Sequence, residues 1–277
     1  MGTQIAKELF AAAFAAILNR LKIVFLGTGT STGVPAIGCD CAVCLSADPL
    51  NKRYRSSIFV ESDDLSLVVD TTPDFRSQCL RANINKLDGV IYTHEHSDHL
   101  LGLDDLRRFC LMHNKRIPVY GSSRVNEYIR RIFPYAVRQP APYKGLPEVE
   151  LHEINGPFQV GHLRVIPYSM PHGSTTALGF RFDDARGPRF AYLTDCKEVS
   201  PEIRRDVREI PLLILDALRE KSHPTHLSLD EAIAVVKDTR PGQTLFTHIA
   251  HEMDHRGINA RLPAGIALAY DGQIVEA

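Results

Sequence analysis

The chain has 277 residues, of which 44% are hydrophobic and 23% charged, and a formal net charge of -1. That is the balance of an ordinary soluble domain with enough apolar side chains for a large, rigid core. It provides no overall positive field to draw in nucleic acid, and no apolar run reaches the length needed to span a bilayer, so the cytoplasm is the expected location.

Residues Met1 to Arg20 contain the apolar stretch Phe10–Leu18. No clean small-residue cleavage site follows it, so it is expected to be an amphipathic helical extension, 1–20, ahead of a single domain over 21–277. Lys22–Leu26 is a short strand that runs into Gly27-Thr28-Gly29-Thr30-Ser31-Thr32-Gly33. The third glycine comes one place late for a dinucleotide fingerprint, and Pro35 and Gly38 follow where a helix should start. These glycines are expected to let a loop pass close to a metal site. Ser57–Glu61 and Leu65–Asp70 alternate like a hairpin around Ser62-Asp63-Asp64. Pro73–Ala82 is a predicted helix with proline in its first turn. Gly89–Thr93 is a strand, Gly102–His113 a helix, Ile117–Tyr120 a strand and Ser122–Phe133 a helix, before a proline-rich loop at Pro134–Pro147. Strands are predicted at Glu148–Glu153, Leu163–Tyr168, Ala177–Phe182, Arg189–Leu193, Leu212–Leu215 and Thr244–Thr247, with helices after Ser200 and over Leu229–Lys237. Strands followed by helices, twice over, predict two αβ halves packed sheet to sheet.

The chemistry concentrates in two stretches. Cys39-Asp40-Cys41-Ala42-Val43-Cys44 places three thiols in six residues. Such clustering fits a metal clip better than a disulfide framework, and a closed tetrahedral zinc site needs a fourth ligand. Thr93-His94-Glu95-His96-Ser97-Asp98-His99 places four potential ligands directly after an apolar strand. Imidazole with carboxylate suits zinc, iron or manganese, and so many polar groups are costly to cluster unless something binds them. Asp70, ending an earlier strand, either orients the ligand loops or simply closes a turn.

The H-x-H-x-D-H order after a strand resembles the metallo-β-lactamase superfamily, over about Leu21 to the C-terminus. The resemblance implies a four-layer αββα sandwich. It implies further ligands, each at a strand end: His172 in Met170-Pro171-His172-Gly173, Asp195 in Leu193-Thr194-Asp195 and His248 in Phe246-Thr247-His248. In that pattern His94, His96 and His172 hold one divalent ion, Asp98, His99 and His248 the other, and Asp195 bridges them. Paired metals lower the pKa of a shared water and clamp a phosphoryl oxygen.

Gly38–Cys44 together with Thr247-His248-Ile249-Ala250-His251 is similar to the phosphoribosyl cyclic phosphate phosphodiesterases. That likeness makes His251 the fourth ligand of a structural zinc. It also assigns His226, with His223 as its rival, as the proton donor at the scissile bond. The implied partner is a small phosphodiester; nothing in the chain favours a membrane or nucleic acid, and a homodimer is allowed. A tRNA 3′-processing endonuclease uses the same ligands, but no long basic insertion that could grip RNA is present. Thioester and lactam hydrolases share the fold without an obvious need for His226. His251-Glu252-Met253-Asp254-His255 matches H-E-x-x-H. Arg256-Gly257 is expected to interrupt the helix that a zinc protease would need there.

Overall fold

The computed structural model describes residues 21–62, 65–141 and 143–277. The extension expected over 1–20 and part of the 62–64 turn lie outside the described residues. The runs Leu65–Val69 and Leu212–Asp216 are buried throughout, which demands cover on both faces. β1 (Lys22–Gly27), β2 (Ser57–Ser62), β3 (Leu65–Val69), β4 (Gly89–Ile91), β5 (Ile117–Gly121) and β6 (Val149–Glu153) form one sheet. It is completed by β14 (Ile274–Glu276), in the order β14-β1-β2-β3-β4-β5-β6. β7 (Phe158–Val160), β8 (Leu163–His172), β9 (Thr175–Asp184), β10 (Gly187–Leu193), β11 (Leu212–Asp216), β12 (Gln243–Thr247) and β13 (Ile266–Leu268) form the second, in the order β13-β12-β11-β10-β9-β8-β7.

The sheets pack face to face through Ile23, Phe25, Ile58 and Val69 on one side and Phe180, Phe182, Tyr192 and Ile214 on the other. The outer face of the first sheet is covered by α2 (Phe75–Ala82), α4 (Leu106–His113) and α5 (Ser123–Ile132), packed on Leu26, Val68 and Val119. The outer face of the second is covered by α7 (Pro201–Asp206), α8 (Leu229–Thr239) and α9 (His255–Asn259), packed on Leu213, Leu215 and Phe246. The result is the expected four-layer αββα sandwich. The remaining short helices are α1 (Ala42–Leu45), α3 (Ser97–Leu100) and α6 (Pro134–Val137).

Several local expectations shift. The helix expected over Gly102–His113 is a 3-10 turn at Leu101–Asp105 that hands over to α4. Gly102 explains this: a Cβ there would lie 2.0 Å from the Thr72 carbonyl oxygen, so the chain hugs the preceding loop before it can wind regularly. The proline-rich loop begins with α6, started by Pro134 at its first position. β7, β13 and β14 are three residues each, too short for an alternation to register.

Candidate metal centre

Several strands end at one rim. Asp70 follows β3, and His94 follows β4 by three residues. β8 ends on His172, β11 ends on Asp216, Asp195 lies two residues past β10, and His248 is next after β12. β10, β11 and β12 are parallel, and β8 runs with them because both it and β10 are antiparallel to β9. Asp70, Asp195 and His248 adopt left-handed backbone, with φ of 67°, 58° and 58°. Such φ values are uncommon for non-glycine residues and turn the chain sharply at the strand end. The tail of the H-x-H-x-D-H motif is not a plain loop: Ser97–Leu100 is a helical turn with His96 at its N-cap.

These turns bring together all seven residues singled out as ligands. Nδ1 of His96 lies 2.9 Å from His94 Nε2 and 3.3 Å from His172 Nε2. His99 Nε2 lies 3.3 Å from Asp98 Oδ2 and 3.4 Å from Asp195 Oδ2. The other Asp195 oxygen faces His248 Nε2 at 3.2 Å and His172 Nε2 at 3.9 Å. The donor atoms of His94, His96 and His172 lie within 4.8 Å of one another, as do those of Asp98, His99 and His248. The carboxylate of Asp195 stands between the two groups.

The donor set fits divalent cations. His248 is buried, and neither ring nitrogen has a hydrogen-bond partner, despite the approach of Asp195. Two idle nitrogens on a buried ring are costly unless a ligand engages one. Burial keeps His94 and His172 below the ordinary imidazole value and pushes His248 down to about 4, which leaves lone pairs open. Burial also works against charge on Asp98 and Asp195, yet His99 and His248 hold both below the usual carboxylate range.

The rings are held from behind. Asp70 accepts from the Thr93 amide at 2.8 Å, the Thr93 hydroxyl at 2.8 Å and His99 Nδ1 at 2.7 Å. His172 Nδ1 donates to the Thr225 carbonyl at 3.2 Å. Fixing one ring nitrogen leaves the other free to ligate. His226 donates from Nδ1 to Asp216 Oδ2 at 2.8 Å, and its ring stacks 4.5 Å from His248. Its donor atom also falls within 4.8 Å of those of His172 and Asp195. His223 is turned to its own loop, where the Thr225 amide approaches its Nδ1 at 3.3 Å. A cleft of about 290 Å³ opens over the rim and is lined by His96, Asp98, Asp195 and His226, with Ser31 and Ser174 at its edge.

Cys39, Cys41, Cys44 and His251 form a second group with donor atoms within 4.8 Å of one another. His251 Nδ1 lies 3.4 Å from Cys39 Sγ and 3.3 Å from Cys41 Sγ. The hydrogen bond with His251 draws the Cys41 thiol down to about 6, while burial pushes Cys44 up to about 11. The glycine-rich loop passes close to the candidate metal centre, with Ser31 lining its cleft, and it also meets a steric demand of its own. A Cβ on Gly27 would sit 2.0 Å from the Arg55 carbonyl oxygen, so glycine is required by the neighbouring backbone rather than by a metal.

His251 and His255 do not share a helix. His251 sits with the cysteines, and His255 opens α9 beyond the N-cap Asp254. Gly257 lies inside that helix instead of breaking it, so the protease reading fails on placement alone. Burial pushes His255 down to about 4, with Arg53 adding repulsion. The unfolded chain then binds more protons than the folded one between about 4 and 6.5, so this residue lowers stability as pH falls through that window. Comparing thermal unfolding of the wild type and His255→Gln at pH 7.5 and pH 5 should show the wild type losing roughly 2 kcal/mol relative to the variant at the lower pH.

A family model described as "Beta-lactamase superfamily domain" matches residues 66–249. A crystal structure titled as a new diphosphatase from the PhnP family superposes with a TM-score of 0.85 at 40% identity, covering 93% of this chain and 97% of that one. The octanoyltransferase of Porphyromonas gingivalis is 37% identical over 91% of this chain but 51% of its own length. The ribonuclease Z of Methanopyrus kandleri is 28% identical over 68% of this chain and 60% of its own. The chain thus spans about half of the first curated relative and three fifths of the second. Among the described residues, no helix is long and apolar enough to cross a membrane.

Proposed function

The chain belongs to the metallo-β-lactamase superfamily and is a hydrolase related to the PhnP family; from that premise we propose that it cleaves a small phosphodiester, best a cyclic one, at a dinuclear metal centre. The observation that carries this reading is Asp195, whose carboxylate faces His99 and His248 of one donor group and His172 of the other. His94, His96 and His172 would hold one ion and Asp98, His99 and His248 the other, with Asp195 placed to serve both. Zinc, manganese and iron all suit these donors. Cys39, Cys41, Cys44 and His251 hold a structural zinc. The bound ions supply Lewis-acid polarisation of the phosphoryl group and an activated water.

The chain's own part is to place and protonate. Asp70 and the Thr225 carbonyl keep His99 and His172 facing the centre. Asp216 accepts a hydrogen bond from Nδ1 of His226 and so leaves Nε2–H for the cleft, where it protonates the departing oxygen. The small cleft accepts a compact substrate.

Two rival readings have specific support. The PhnP-family neighbour is titled a diphosphatase, which favours a phosphoanhydride. The octanoyltransferase likeness favours acyl chemistry, but that name belongs to a protein about twice as long as the matched region. Metal analysis of replete protein should find at least two ions per chain beyond the cysteine-bound one. The same protein should hydrolyse a cyclic ribose phosphodiester and bis(p-nitrophenyl) phosphate faster than inorganic diphosphate, a thioester or a β-lactam. Fewer than two such ions, or lactam or thioester hydrolysis without phosphodiester turnover, would overturn the proposal.

A further inference from the structure

Glu95 stands between two of the imidazoles in sequence, yet its carboxylate is engaged by other residues and plays no part in the reading above. Its side chain is 3% exposed, a costly position for a charge unless partners offset it. It has two. Arg124, near the start of α5, approaches with Nε at 2.7 Å, and the Thr175 hydroxyl donates to Oε1 at 3.0 Å. Thr175 is the residue directly opposite His172 in the register of the β8–β9 hairpin, across the turn at Gly173 and Ser174. Glu95 therefore joins the segment carrying His94 and His96, on the first sheet, to the hairpin carrying His172, on the second.

Those three imidazoles make one donor group, and they come from two different sheets. A backbone bond from the Leu178 amide to the Thr93 carbonyl, at 2.8 Å, ties the same pair of segments one step further back. That bond holds Thr93, next to His94, but on the hairpin it acts at Leu178, six residues from His172. We propose that Glu95 is a positioning residue that sets the spacing of His172 against His94 and His96, with Thr175 as its contact and Arg124 as its counter-charge. Arg124 is mostly exposed, so its ion pair adds little energy in itself; it holds the carboxylate in place.

The inference rests on the dinuclear reading, and Co²⁺ titration of the metal-free full chain separates the two. The wild type should take up two Co²⁺ at the His and Asp donors, apart from the cysteine-bound ion, which its sulfur charge-transfer band identifies. Glu95→Ala should weaken one of the two by about 10–100-fold and leave the other and the cysteine-bound ion unchanged. Thr175→Val, which spares both charges, should weaken the same ion, and it serves as the test should Glu95→Ala fold poorly. Glu95→Gln keeps an oxygen for the Thr175 hydroxyl and should retain most of the affinity. A lower melting temperature with unchanged Co²⁺ affinities would reduce Glu95 to a structural ion pair and overturn the inference. So would an equal loss at both ions. A wild type that takes up no Co²⁺ at the His and Asp donors would instead overturn the dinuclear reading itself.

Discussion

Replacing His226 by alanine should lower turnover of a ribose or alkyl phosphodiester by about 10²–10⁴-fold while leaving a nitrophenyl ester far less affected. An alkoxide is a strong base and leaves poorly without a proton, whereas nitrophenolate leaves unaided. His226 meets the geometric requirement, because its Nδ1 is committed to Asp216 and its ring borders the cleft. Burial opposes its charge, but the Asp216 carboxylate holds the imidazole above its ordinary value, which favours the protonated form. His223→Ala should show no such contrast, since that ring is turned to Thr225. The measurement is the ratio of the two activities at matched metal content. Equal loss on both substrates would make His226 a phosphate contact or an additional ligand, a placement its proximity to His172 and Asp195 also permits. The contrast appearing at His223 would move the acid there.

Asp195→Ala should do more damage still. Its oxygens face His99, His172 and His248, so its removal leaves three imidazoles without their shared carboxylate. Turnover should fall by at least the roughly 10²–10³-fold that follows loss of a single preorganised charge-stabilising group. Cys41→Ser should behave differently. Its site lies on a loop clip, and the energy of a structural zinc is folding energy, so the variant should lose several degrees of melting temperature. Measuring melting temperature and turnover for both variants checks the division. If Cys41→Ser keeps its stability and specifically loses turnover, the cysteine group is not merely structural.

What could be read from the sequence was what is local. The spacing from His94 to His99 falls within one strand end and one turn of helix, so the donors are neighbours in the chain as well as in space. His172, Asp195 and His248 were legible only as a series in order, because each alone looks like an ordinary strand-end residue. Asp70 was ambiguous because its role depends on Thr93 and His99, which reach it only across paired strands. Asp216 was missed as the partner of His226, although an aspartate closing the apolar run Leu212–Leu215 was a usable signal. Glu95 was hidden by its company: between two histidines a glutamate reads as surface filler, and its burial depends on Thr175, 80 residues away. The close backbone approach that Gly27 requires was not legible, because the backbone it touches, at Tyr54 and Arg55, belongs to another segment.

Most of the proposed ligands stand at the ends of strands, whereas Ser31, Ser174 and Thr225, which also line the cleft, stand on connecting loops. Frame and trim are therefore separate. A loop can lengthen, shorten or change its residues while the sheets keep the same donor groups at the same spacing, so a lineage can explore new leaving groups without rebuilding its candidate centre. Proteins on this frame can consequently carry very different names. For anyone redesigning the chain, the productive positions are the loop residues that shape the mouth, and the strand-end turns at Asp70, Asp195 and His248 are the ones to leave alone.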